Sequence, residues 1–180
     1  MRTVISTVQR GEMMDTKKLT RLGLLTCLAL IIFIVELRIP DIVPVPGVKL
    51  GLANIVTVYC VYNYRPAETA MMLYSRILLG ALFSGNLMAL WYSIAGGTLC
   101  FIGMELLKNI ISEDNMWFLS IVGAVLHNIG QISVAVLVLK STSVIAYLPF
   151  LMISGCIAGM FTGLCARMVS KRLRKSSRVN

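Results

Sequence analysis

The chain has 180 residues, 57% of them hydrophobic and 14% charged, whereas a soluble domain runs nearer half apolar and a quarter charged. Its net charge of +9 sits at the ends: residues 1–21 hold five basic and two acidic side chains, residues 167–180 six basic and none acidic, and residues 22–166 six of each sign. A long neutral apolar body excludes a disordered chain and a soluble enzyme. Basic residues line no face of the middle, which argues against nucleic-acid binding. The expectation is an all-α integral membrane protein.

Six apolar stretches have spanning length if a span needs roughly 17–25 residues. In chain order they cover residues 19–36, 48–64, 67–84, 87–107, 116–139 and 143–168. Pro40, Pro44, Pro46 and Gly47 break the chain after the first, and Arg65-Pro66 turns it after the second. Ser84-Gly85-Asn86 makes a tight turn and Ser112-Glu113-Asp114-Asn115 a polar one. The second stretch is the shortest and the third no longer than the first, so a partly re-entrant path stays open for the second and third. The implied organisation is a tail over 1–16, one six-helix membrane domain over 17–169, and a basic tail over 170–180.

The Lys/Arg bias sets an orientation. With six spans the termini share a side, which collects 13 basic residues, while Arg38, Lys49 and Lys140 mark the other. Both tails are therefore expected in the cytoplasm. No small-residue cleavage site precedes Glu36-Leu37-Arg38-Ile39-Pro40, which argues against a cleaved signal peptide. Met13 and Met14 precede Asp15-Thr16-Lys17-Lys18, so a start downstream of Met1 is an open reading. The five cysteines, Cys27, Cys60, Cys100, Cys156 and Cys165, lie in apolar runs without a CxxC pair and read as reduced packing residues.

Polar groups inside the spans carry the chemistry. Arg76 lies nine residues after Ala67, near mid-membrane at about 1.5 Å per residue. His127, eleven residues after Met116, reaches a similar depth. Gln131 shares its helix face, Asn128 is adjacent, and Asn54 lies in the second stretch below Lys49. No carboxylate is expected at the depth of Arg76: Glu68 and Glu105 count to one surface and Glu36 to the other. Two readings follow. Either Arg76 is satisfied by helix-end carbonyls and the neighbouring amides and imidazole, or it awaits an anionic group that a guanidinium binds bidentately. His127 reads either as a hydrogen-bonded core histidine or as a ligand contact.

Small residues make a second pattern. Gly155, Gly159 and Gly163 recur every four residues and give the sixth stretch a smooth packing face. Gly23 and Cys27 form a weaker pair on the first, readable as internal packing or as a docking face for another membrane subunit. There is no GxxxxGK[ST] motif, no paired aspartates for Mg²⁺, and no nucleophile triad. One histidine without clustered cysteine or carboxylate offers no metal site. No cofactor and no catalysis by this chain alone are expected.

The segment Val43-Pro44-Val45-Pro46-Gly47-Val48-Lys49-Leu50-Gly51-Leu52-Ala53-Asn54-Ile55-Val56-Thr57 resembles the signature of the bacterial Gx transporter family, also described as heptaprenyl diphosphate synthase component I. Three blocks extend the resemblance over about residues 17–172: Ser75-Arg76-Ile77-Leu78-Leu79-Gly80, Tyr92-Ser93-Ile94-Ala95-Gly96-Gly97 and His127-Asn128-Ile129-Gly130-Gln131. It implies a six-helix fold similar to the substrate-binding S components of energy-coupling-factor transporters. Those capture solutes beneath the loop joining helices one and two, and dock on a shared transmembrane subunit and paired ATPases. Their docking face carries Ala-xxx-Ala on helix one, where this chain has Gly23 and Cys27. The alternative description implies a non-catalytic membrane partner of a prenyl diphosphate synthase in menaquinone or isoprenoid synthesis. A third implication is partnership with membrane proteins of flavin-based extracellular electron transfer. The leading expectation is a subunit of the bacterial plasma membrane that binds an anionic or amphipathic solute. Asn54, Arg76, His127, Asn128 and Gln131 would line the site and Lys49 would stand at its mouth. The basic tail Arg167–Arg178 reads either as a hold for an acidic soluble partner or as an anchor on anionic membrane lipid.

Overall fold

A computed structural model describes residues 16–38 and 51–177. Among the described residues six α-helices follow one another: α1 (Thr16–Glu36), α2 (Asn54–Asn63), α3 (Pro66–Ser84), α4 (Leu87–Leu107), α5 (Met116–Leu139) and α6 (Leu148–Ser177). Short 3₁₀ turns, Glu113–Asn115 and Thr142–Tyr147, lead into α5 and α6.

The helix ends have local causes. Pro66 occupies the first turn of α3, where a missing N–H costs nothing, and the Glu68 carboxylate accepts the Arg65 N–H at 3.0 Å. Gly85 closes α3 in the left-handed region (φ 62°), which a residue without Cβ adopts freely. Asn86 then caps α4 by accepting from the amides of Met88 (2.9 Å) and Ala89 (3.3 Å).

The turns place the starts of α1, α3 and α5 and the ends of α2, α4 and α6 at one pole of the bundle. Ion pairs bind that pole together. Lys18 meets Glu68 at 2.6 Å, Asp114 takes Arg167 and Lys171 at 3.1 Å each, and Glu113 pairs with Arg174 and accepts from the Ser170 hydroxyl.

Packing is most extensive along α4–α5 and α5–α6, while α1 rests mainly on α3. Close approach needs small residues. A Cβ added at Gly130 would lie 2.7 Å from the Ala95 carbonyl oxygen, and one at Gly159 would lie 2.8 Å from Ile121 Cα. Gly155 and Gly163 likewise face α5. The Ser120 and Thr162 hydroxyls join α5 to α6 at 2.8 Å. Two apolar clusters fill the polar-paired half, around Val58, Met104 and Leu119 and around Leu22, Val56 and Met72. A third, around Tyr92, Ile132 and Leu151, fills the other half.

Among the described residues four segments are long and apolar enough to cross a membrane: Thr16–Glu36, Leu87–Leu107, Glu113–Leu139 and Thr142–Lys175. The protein is a membrane protein with an all-helical described fold. The second expected stretch departs most from expectation. Its described part is a three-residue turn and the ten-residue α2, which at about 1.5 Å per residue is roughly 15 Å long, half a hydrocarbon core. The third, α3, has 19 residues but is diluted by Glu68, Ser75 and Arg76 and does not join the four.

Candidate functional site

α2 begins inside the bundle, and the polar chemistry gathers at that start. Gly51 adopts φ 79°, a left-handed conformation that disfavours any side chain. A Cβ there would also lie 2.9 Å from the Asn54 amide and 3.5 Å from the His127 ring. The turn then winds into α2 through bonds from Asn54 N–H to Gly51 O (2.9 Å) and from Ile55 N–H to Leu52 O (3.1 Å). The freed Gly51 N–H donates to Glu36 Oε1 at 2.6 Å. A helix start exposes N–H groups and the positive end of the helix dipole, and here the chain's own carboxylate takes that position.

Glu36, Arg76, His127 and Gln131, with Phe33, Gly51, Ile77 and Ser93, line one cavity of about 20 Å³ open to the centre of a water-sized molecule. Glu36 is 2% exposed, Arg76 5%, His127 5% and Gln131 1%. Four of their polar atoms have no hydrogen-bond partner among the described residues: Glu36 Oε2, Arg76 Nε, His127 Nδ1 and Gln131 Oε1. Leaving a buried polar atom unpaired costs about 1–3 kcal/mol, so four such atoms on residues that line one cavity mark a polar and costly part of the interior. Glu36 and Arg76 line the same chamber, yet no salt bridge joins them.

The expectation that Arg76 lacks a carboxylate at its depth is therefore corrected. Counting rises along straight, parallel helices separates Glu36 from Arg76. The packing of α1 on α3, with the Phe33 ring against Gly80, and the reach of both long side chains bring them to one cavity. A sequence signal for Glu36 existed. Leu22, Ala29 and Glu36 are the buried residues of α1 and recur every seven positions, one helix stripe.

Other expected site residues divide. Asn54 is buried, but it lines a neighbouring crevice of about 10 Å³ with Ser120, Gly159 and Thr162, joined to the chamber through Gly51. Asn128 does not line the chamber: its amide donates to the Leu151 carbonyl at 2.6 Å, tying α5 to α6. Lys49 lies outside the described residues. Gly51 and Ser93, both inside the signature blocks, join the lining without having been singled out. Gly23 and Cys27 are exposed on α1, and a Cβ at Gly23 would meet nothing within 4 Å. The chamber itself depends on glycine. An added Cβ on Gly96 would lie 2.9 Å from both His127 Nδ1 and the His127 carbonyl oxygen.

A helical membrane protein with a buried, charge-lined polar chamber beside a half-length helix is the class that this fold and site define. The chain belongs to the Heptaprenyl diphosphate synthase component I family, whose model matches residues 25–169 and so spans every residue of the chamber. No curated protein and no solved structure matches it.

Proposed function

We propose that the chain is a non-catalytic membrane subunit that binds a small polar solute in the chamber among Glu36, Arg76, His127 and Gln131, in the manner of a transporter S component. The observation that carries this reading is that four side chains, each with a buried polar atom that has no partner, line one cavity. Arg76 supplies charge, Gln131 and His127 orient the solute, and Asn54 extends the lining through the adjoining crevice. In the same reading both termini face the cytoplasm of a bacterial cell, α2 and α3 complete the bundle within the membrane, and the outer face of α1 around Gly23 and Cys27 meets another membrane subunit.

Family membership favours a second reading, in which the chain is the membrane component that partners a prenyl diphosphate synthase and holds it through the basic C-terminal end. That end already spends Arg167, Lys171 and Arg174 on Glu113 and Asp114, which leaves fewer charges for a partner.

Purification from native membranes separates the two. A small molecule released on denaturation and identified by mass spectrometry, retained in Asn128→Leu but lost in Arg76→Met, supports the binding subunit. Coupling ATPases in the same preparation extend it to transport, whereas a soluble synthase supports the second reading. Protein that releases no small molecule, and whose melting is unmoved by vitamins, quinones or prenyl diphosphates, sinks the binding reading.

A further inference from the structure

The pole that gathers the start of α1 and the end of α2 carries an open pocket of about 410 Å³, lined by Lys17, Lys18 and Arg21 on α1 and by Tyr59, Asn63 and Tyr64 across from them. Its volume lies within the roughly 300–1,000 Å³ of small-molecule sites. The chamber shares none of these residues.

Acceptors at this pocket are answered within the chain, while donors stay open. The Asn63 amide donates to the Tyr59 carbonyl and the Tyr64 N–H to the Cys60 carbonyl, each at 2.8 Å. Three basic side chains line the pocket and no acidic one does; Glu68, outside the lining, is held by Lys18 at 2.6 Å. Arg21 is exposed and makes no hydrogen bond or ion pair among the described residues, and neither the Tyr59 nor the Tyr64 hydroxyl is hydrogen-bonded there. The two rings meet edge to face at 6.5 Å and pack on the cluster around Leu22, Val56 and Met72, which fixes that wall. A guanidinium fork and two phenols suit a phosphate group, whose oxygens accept several donors at once.

The helix face that leads away from the pocket is apolar. Lys17, Arg21, Leu24, Leu28 and Val35 follow at intervals of four, three, four and seven residues and so share one face of α1. Leu24, Leu28 and Val35 are exposed on it. A molecule with its charged head in the pocket can lay its chains along this face, whereas a free anion would leave the face unused. Tyrosine suits such a border, with an apolar ring and a polar tip.

We propose that this pocket seats the headgroup of an anionic phospholipid, its phosphate on Arg21 and the Tyr59 and Tyr64 hydroxyls and its acyl chains along the exposed face of α1. The seat is independent of solute binding in the chamber.

The test follows thermal unfolding of the full chain in phosphatidylcholine nanodiscs containing increasing fractions of phosphatidylglycerol. The wild type should gain stability as phosphatidylglycerol rises. Arg21→Gln should need about tenfold more of it for the same gain, the factor expected when a hydrogen bond to a charged group is lost. Arg21 is exposed and unbonded, so this variant should melt like the wild type in phosphatidylcholine alone. Arg172→Gln removes the same charge from an exposed position near the end of α6, at the same pole but outside the pocket, and should respond as the wild type does. A wild type indifferent to phosphatidylglycerol, or an Arg21→Gln that responds equally, overturns the proposal. An Arg172→Gln that loses as much as Arg21→Gln also overturns it, because the effect then belongs to the diffuse field of the basic pole. Inorganic phosphate that reproduces the full gain in phosphatidylcholine alone overturns it as well, since the pocket then takes a free anion and the α1 face plays no part.

Discussion

Gly130→Ala tests the seam on which the chamber depends. An alanine Cβ at this position would lie 2.7 Å from the Ala95 carbonyl oxygen and 2.8 Å from both the Ala95 carbonyl carbon and Gly96 Cα. All three are backbone atoms, so no side chain can swing aside. Carbon–carbon contacts are comfortable near 3.5 Å, and α4 and α5 must therefore part by roughly 0.7 Å. Overpacking of this kind costs about 1–3 kcal/mol, offset by the roughly 0.5–1 kcal/mol that alanine gains over glycine inside a helix. The net cost is up to about 2.5 kcal/mol, and at about 2–4 °C per kcal/mol for a chain of this size the melting temperature should fall by up to roughly 10 °C. Gly23→Ala is the internal control. Its Cβ would meet nothing within 4 Å, so only the helix-propensity gain remains and the melting temperature should hold or rise. Thermal unfolding of both variants in one detergent, followed by circular dichroism, reads the difference. Because α4 carries Ser93 while α5 carries His127 and Gln131, solute binding should weaken along with stability in Gly130→Ala. An unchanged melting temperature for Gly130→Ala beside a lowered one for Gly23→Ala would refute the packing argument.

Asn128→Leu removes the 2.6 Å bond to the Leu151 carbonyl and should cost about 1–2 kcal/mol of stability while leaving solute binding intact, a combination that melting and binding assays resolve together. The double-mutant cycle of Glu36→Gln and Arg76→Met should give a coupling of about 1–3 kcal/mol in denaturant titrations, and strict additivity would show that the two charges do not sense each other. Glu113→Gln should lower the melting temperature at low salt and lose most of that effect at high salt. It loosens the pairing with Arg174 at the exposed pole, where ions screen the interaction.

The class of the protein is legible in the sequence because it depends on sums and spacings. Apolar content and run length report a membrane environment whichever helix touches which, and the turn residues Arg65-Pro66, Ser84-Gly85-Asn86 and Ser112–Asn115 mark three helix boundaries closely. Arg76, His127 and Gln131 stand out for a similar reason: a charge, an imidazole and an amide in apolar runs are costly unless something answers them. Their meeting at one cavity follows from comparable depth on α3 and α5, which helix rise alone predicts.

Depth counting fails where the chain leaves the straight-helix rule. Among the described residues of the second apolar stretch, read as a span over 48–64, the helix runs from Asn54 to Asn63, because Gly51 turns in the left-handed region and starts α2 inside the bundle. Glu36 counts to a surface along α1, yet its heptad stripe with Leu22 and Ala29 turns it inward onto the Gly51 amide. Asn128 and His127 are neighbours in sequence but point to different partners, one to Leu151 on α6 and the other into the chamber. Successive helix residues are rotated by about 100°, and only the packing of the other helices says what each direction meets.

By itself, then, the amino-acid sequence determined a helical membrane protein with basic ends and an arginine in an apolar run, since hydropathy and charge add up along the chain independently of fold. Tertiary structure decided that this arginine shares its chamber with Glu36. The two lie 40 residues apart and meet through the packing of α1 on α3 and the early start of α2, neither of which is encoded in local spacing.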